Sequence, residues 1–384
     1  MSSHASPTSG WAELFEAVRE FREARPWEHL TDRILFGVRL PGIGPILHCA
    51  VMGAGEEVFG LAVYPGAEGL RAYERSLAFM REEGGSNLNL QTQLRALTVS
   101  FEYAEDLDEV DFDLIRGQGF TIDGPQEWPL FRSYEPGYVE ALPNEEERVW
   151  LVVALNGARE FAKRFKKQQL SNLDRLDQDE IVVLRPRPDS GGWSQEIETL
   201  DRGSEQLEVP TVDELRLRRL SRSASRGGVW EAAAYWMPMA VGEGETKSYF
   251  PLLCVWADHN TGIILHTQLA TPAEGLGMLQ ISGIELMEKT AMIPTTILVR
   301  SDKAVHLLEP VTGILQVELR PVESLEVVEG SVSEFQQMLK LENPPGSEPG
   351  PEGEIALMLQ MGKAFEDLLK LFEHWLIEQG FAWS

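Results

Sequence analysis

Cysteine is almost missing. Among 384 residues there are only two, Cys49 and Cys254, and both sit in apolar, strand-like runs. That placement suits buried free thiols and leaves no disulfide framework. Long apolar runs are missing too: none reaches the roughly 20 residues needed to span a bilayer. The opening M-S-S-H-A-S-P-T-S-G has neither a basic start nor an apolar core, so no secretory leader is expected. These absences predict a cytoplasmic protein of bacterial type with no membrane contact. Positive charge is scarce as well: 34 Lys and Arg stand against 61 Asp and Glu, for a formal net charge of -27. A field of that sign repels phosphate backbones and acidic lipid within a Debye length of ~8 Å at physiological salt. Nucleic acid is therefore not the expected partner, and solubility is a sufficient reason for the acidity.

Common catalytic signatures are also lacking. No G-x-G-x-x-G opens a helix after a strand, and there is no G-x-S-x-G. The run G-E-G-E-T-K-S (242–248) lacks the glycine directly before Lys247 and joins two strands, which rules it out as a phosphate loop. His48, Cys49, Cys254 and His266 carry no C-x-x-C or H-x-x-x-H spacing, so no metal is assigned.

What is present is an ordinary globular composition, 43% hydrophobic and 25% charged, long enough for two to three domains. Residues 1–10 read as a disordered tail. Leu14, Phe15, Val18 and Phe21 share one helical face and predict a helix over 11–25, closed by Pro26. Strands are expected at 34–40, 46–52 and 58–64, a helix from 66 to 83, a strand at 94–103 and an acidic helix at 106–118. This N-terminal α+β domain spans 11–142. A connecting helix occupies 143–178, with Glu145, Glu146 and Glu147 at its start and Lys163, Arg164, Lys166 and Lys167 at its end. The cations could form an anion site, but complementarity to the helix macrodipole already explains them.

The second domain is placed at 179–342, with short strands over 180–212. Later strands are expected at 230–240, 250–257 and 262–270. A helix from 273, a strand at 296–300, a helix at 302–310, a strand at 314–320 and a helix at 332–341 follow. The run N-P-P-G-S-E-P-G-P-E-G marks a linker at 343–353, and 354–384 reads as an amphipathic helix.

Two short runs bear on how the halves relate. Y-P-G-A-E-G-L (64–70) and T-P-A-E-G-L (271–276) each follow a strand–turn–strand and precede a helix. Proline ending a strand and Glu near a helix start explain both runs structurally. They suggest duplication of a β-β-β-α-β-α unit rather than a shared catalytic loop. The expected fold class is therefore α+β, with two domains of that element order and a C-terminal helix.

Three strands, a helix, a strand and a helix is also the order of the ribonuclease-H-like fold. V-W-A-D-H-N-T-G-I-I-L resembles the first hairpin of integrase cores, and P-T-T-I-L-V-R-S-D resembles their second carboxylate strand. The resemblance implies that Asp258 and Asp302 meet at one sheet edge and hold Mg²⁺ for phosphodiester hydrolysis, with Glu334 as a third ligand. The competing reading is that Asp258–Gly262 is simply a good hairpin turn.

Arg216, Arg218, Arg219 and Arg222 form the one local basic run and are a candidate anion site. Pairing with the chain's own carboxylates is the alternative. Finally, W-E-H-L-T-D-R-I-L-F-G-V (27–38) with the strands after it, and Y-F-P-L-L-C-V-W-A-D-H-N-T-G-I-I-L (249–265), resemble a bacterial two-domain family of unknown function. That resemblance implies an α+β protein without assigned activity. The leading expectation is a non-catalytic binding protein that meets a protein partner, or a second copy, through its C-terminal helix. The alternative is a metal-dependent nuclease or its inactive descendant.

Overall fold

The structure, a computed structural model, describes residues 10–53, 58–81, 92–120, 124, 126–167, 177, 179–187, 191–204, 207, 209–242 and 247–332. The expected linker at 343–353 and helix at 354–384 lie outside these residues. The chain divides into two compact units. The first takes the described residues up to 136 and from 140 to 204; the second takes 137–139 and those from 207 onward. No described helix is long and apolar enough to cross a membrane.

The first unit is one twisted sheet with helices packed on it. Its elements are α1 (Trp11–Ala24), β1 (Phe36–Arg39), β2 (Ile46–Met52), β3 (Phe59–Pro65), α2 (Gly66–Arg81) and β4 (Ala96–Tyr103). They continue as α3 (Glu109–Gly117), β5 (Gln126–Tyr134), α4 (Glu145–Lys166), β6 (Glu180–Arg187) and β7 (Gly192–Thr199). The sheet order is β5-β4-β3-β2-β1-β6-β7, antiparallel throughout except for the parallel pair β1–β6. Alternate residues of β2, Leu47, Cys49 and Val51, turn to one face, as a period of two requires. There they join Leu14, Val18 and Phe21 of α1 and Leu151, Leu155 and Phe161 of α4 in a single core. Phe161 stacks on Phe36 with ring centres 4.2 Å apart.

The helix expected to connect two domains is thus part of the first. α4 opens with a capping box: the Asn144 side chain accepts the Glu147 N–H, and Glu147 accepts the Asn144 N–H. Because β6 completes a parallel pair with β1, residues 180–199 belong to this sheet and not to a second domain beginning at 179.

The second unit contains α5 (Glu214–Ser223), β8 (Ser225–Arg226), β9 (Val229–Trp236), β10 (Leu252–Asp258), β11 (Ile264–Ala270) and α6 (Gly277–Thr290). After these come β12 (Met292–Ile293), β13 (Thr296–Val299), α7 (Asp302–Leu315), β14 (Glu318–Pro321) and a helical stretch at 326–332. The main sheet runs β11-β10-β9-β13-β14, with β9, β13 and β14 mutually parallel and β10 and β11 antiparallel. Numbered within this sheet the order is 3-2-1-4-5. Trp230, Cys254 and Trp256 face α5, α6 and α7. Val255, Ala257 and Leu298 face Leu325, Val328 and Val332.

Several boundaries differ from expectation. The helix expected to stop at 310 continues to Leu315 with Pro310 inside it. Burial of Leu307, Leu308, Val311 and Leu315 offsets the lost N–H bond. The strand expected at 314–320 consequently starts at Glu318. Element order recurs in the two units, yet the wiring does not. In the first, the strand after the helix, β4, pairs antiparallel with the third strand, β3. In the second, β13 pairs parallel with the first strand, β9.

Candidate functional site

Strand register separates the two carboxylates expected to share a metal. Asp258 ends β10 opposite Trp230 of β9, and Trp230 lies opposite Ile297 near the start of β13. Asp302 lies beyond the other end of β13, as the first residue of α7. Five residues at ~3.3 Å each put it up to about 16 Å further along the strand direction, and two strands to the side. The integrase-like assignment took Asp258 as the end of the first strand, whereas β10 is the second. Asp258 Oδ1 accepts the Asn260 N–H at 3.1 Å, the Thr261 N–H at 2.8 Å and the Thr261 hydroxyl at 2.9 Å. It holds a turn, the competing reading of that run. Glu334 lies outside the described residues. Among the described residues no group of three or more His, Cys, Asp or Glu could hold a metal ion.

The first strand of this sheet carries a different carboxylate, which the sequence reading did not single out. Glu231 is fully buried. One of its oxygens accepts the backbone N–H groups of Val327 at 3.1 Å and Val328 at 3.0 Å. The other accepts His259 Nδ1–H at 2.6 Å. Burying a carboxylate without partners is costly, and three donors, two of them backbone N–H groups at the start of a helical stretch, meet that cost. A sequence signal existed: in V-W-E-A-A-A-Y-W, period-two alternation puts Glu231 on the same side as Ala233 and Tyr235. A charge on that face needs a partner in the core. Close by, burial and the Glu329 carboxylate push the Tyr235 hydroxyl up to about 12.

The arginine run splits. Arg216 makes a two-bond pair with Glu288, its Nε at 2.7 Å from Oε1, and Arg218 pairs with Glu214 at 3.2 Å. Arg219 and Arg222 are exposed on α5. Self-pairing therefore accounts for two of the four.

An open groove of about 640 Å³ lies in the first unit. Its ionisable lining is Arg159, Glu160 and Lys163 of α4 and Arg187 at the end of β6, beside Pro186 and Trp193. Arg159 is tied to Glu20 and to Asn156 Oδ1, the latter at 3.0 Å. Glu160 is tied to Arg164 Nε at 2.7 Å, with Lys163 Nζ at 3.8 Å. Among the described lining residues there are thus three cations and one carboxylate, with Glu20 paired to Arg159 from outside the lining, in a chain of net charge -27.

Residues 11–183 match the family model of a domain of unknown function, DUF7309, and residues 216–336 match that of a second, DUF6930. The two matches account for the chain in two parts. No curated protein matches it.

Proposed function

We propose that this protein works by binding rather than by catalysis, its second unit being a ribonuclease-H-like sheet that serves as a scaffold. One observation carries the reading. The carboxylate on the first strand of that sheet, Glu231, is spent on structure: both its oxygens are engaged by protein donors. A metal ion there would have to displace two backbone N–H groups and His259. The other two candidates, Asp258 and Asp302, stand at opposite ends of the sheet. Two-metal hydrolysis needs its ions about 4 Å apart and its carboxylates clustered around them.

Titration of the full chain with Mn²⁺, with metal binding read by calorimetry, tests this. The expected result is no saturable site that Glu231→Gln, Asp258→Asn or Asp302→Asn alters. A site lost in any of the three, or Mn²⁺-dependent cleavage of single- or double-stranded nucleic acid that those changes abolish, would overturn the reading.

A further inference from the structure

We infer that the groove of the first unit is a binding site for a small organic anion that carries a flat apolar part. This names a ligand class for the binding reading and rests on it. Electrostatics is the first ground. The chain as a whole repels anions, whereas the described lining of this concave surface holds Arg159, Lys163 and Arg187 with Glu160, Arg159 being paired with Glu20 beside it, a local excess of positive charge. The Glu160 carboxylate is already paired with Arg164 Nε at 2.7 Å. Lys163, 3.8 Å from the same carboxylate, and Arg187 are both exposed to solvent at the groove.

The helix dipole explains why cations sit in the last turn of α4. It does not explain Arg187, which comes from β6 and meets the same groove. Two successive elements of the chain, a helix and a strand, converge on it. The apolar lining is the second ground: Ala24, Pro41, Pro186 and the half-buried Trp193 offer a surface for a ring, with charged groups at its rim. Arginine and lysine recognise phosphate and carboxylate alike, the former with two parallel bonds. The space of about 640 Å³ suits a ligand of that size and not a macromolecule.

The test uses the full chain and 1-naphthyl phosphate, with inorganic phosphate and 1-naphthol as half-ligands, by calorimetry at low and physiological salt. The ring-bearing phosphate should bind one to one, and each half-ligand at least about tenfold more weakly. The double change Lys163→Glu with Arg187→Glu should weaken it by at least about tenfold with an unchanged melting temperature. Arg219→Glu with Arg222→Glu, in the other unit, should leave it unchanged. Absence of binding, or equal binding by the Lys163/Arg187 variant, overturns the inference. Mn²⁺ titration reports on the second unit and this experiment on the first, so the two readings fail separately.

Discussion

Glu231 Oε1 and His259 Nδ1 lie 2.6 Å apart, one fully buried on β9 and the other in the turn that leaves β10. The second Glu231 oxygen accepts from Val327 and Val328. One carboxylate therefore fastens a central strand, a hairpin turn and the helical stretch at 326–332. The turn is itself fixed by Asp258, which accepts from Asn260 and Thr261.

Removing that carboxylate should cost more than removing its histidine. Glu231→Ala leaves two backbone N–H groups and the His259 Nδ1–H without their acceptor, a loss of roughly 3 kcal/mol. His259→Ala takes away one of three donors, from a ring that is 37% exposed, and should cost about half as much. Glu231→Gln should fall between them. Urea denaturation followed by circular dichroism gives the order. Equal losses for the two alanine variants would show that Glu231 is held by something other than this network.

The two A-E-G-L runs make a second comparison, because their glycines do different work. Gly69 lies inside α2, and a Cβ there would come 2.4 Å from the Tyr64 backbone carbon. Gly275 lies ahead of α6, in a turn where Thr271 and Glu274 bond to each other, and it has φ +59. Gly69→Ala must push backbone against backbone and should cost roughly 2–3 kcal/mol. Gly275→Ala meets only the left-handed penalty of roughly 1 kcal/mol. Thermal melts of the two variants decide it; equal shifts would restore the view that these are one joint used twice.

That contrast shows what was legible in the sequence. Apolar spacing located α1 and the strand pairs, and charge polarity located α4, since these signals are local. Whether β13 pairs with β9 or with β11 is settled by packing between distant residues, and identical element orders do not reveal it. The carboxylates show the same limit. Asp258 and Asp302 stand out because they follow strands, yet register parts them. Glu231 does not stand out until its face of β9 is known to be covered. The groove draws on α4 and β6, and only the first of these carries a visible cluster of charge.

Two histidines make stability fall with acid in separate units. Burial holds His48 below the ordinary value of 6.5, its Nδ1–H donating to the Tyr64 carbonyl at 3.1 Å. Burial, with Lys289 nearby, does the same to His266. A depressed histidine means the unfolded chain takes up the proton first as pH falls below about 6.5. The stabilisation is complete above that pH and lost below it, by at most ~1.4 kcal/mol per pH unit for each histidine. Glu198, lowered mainly by its hydrogen bonds from Arg39, and Glu288, lowered mainly by those from Arg216, add a second loss below about 4.5. Denaturant midpoints between about pH 7.5 and 5 should slope less in His48→Gln. An unchanged slope would mean that His48 is protonated in the folded protein.

The two thiols give one reporter for each unit. Cys49 and Cys254 are both free and fully buried. Burial pushes the Cys49 thiol well up, and it pushes Cys254 up to about 12. Neither has appreciable thiolate near neutral pH, and neither can meet a reagent without local opening. Ellman's reagent should therefore leave the native protein unlabelled and react with two thiols once guanidinium unfolds it. Cys49→Ser and Cys254→Ser variants then separate the signals: labelling at Cys254 reports opening of the second sheet, and labelling at Cys49 opening of the first. Destabilising the second sheet through Glu231→Ala should speed labelling of Cys254 and leave Cys49 as slow as before. If both accelerate together, opening is a single cooperative event for the whole chain, and the expectation that the two compact units open separately fails.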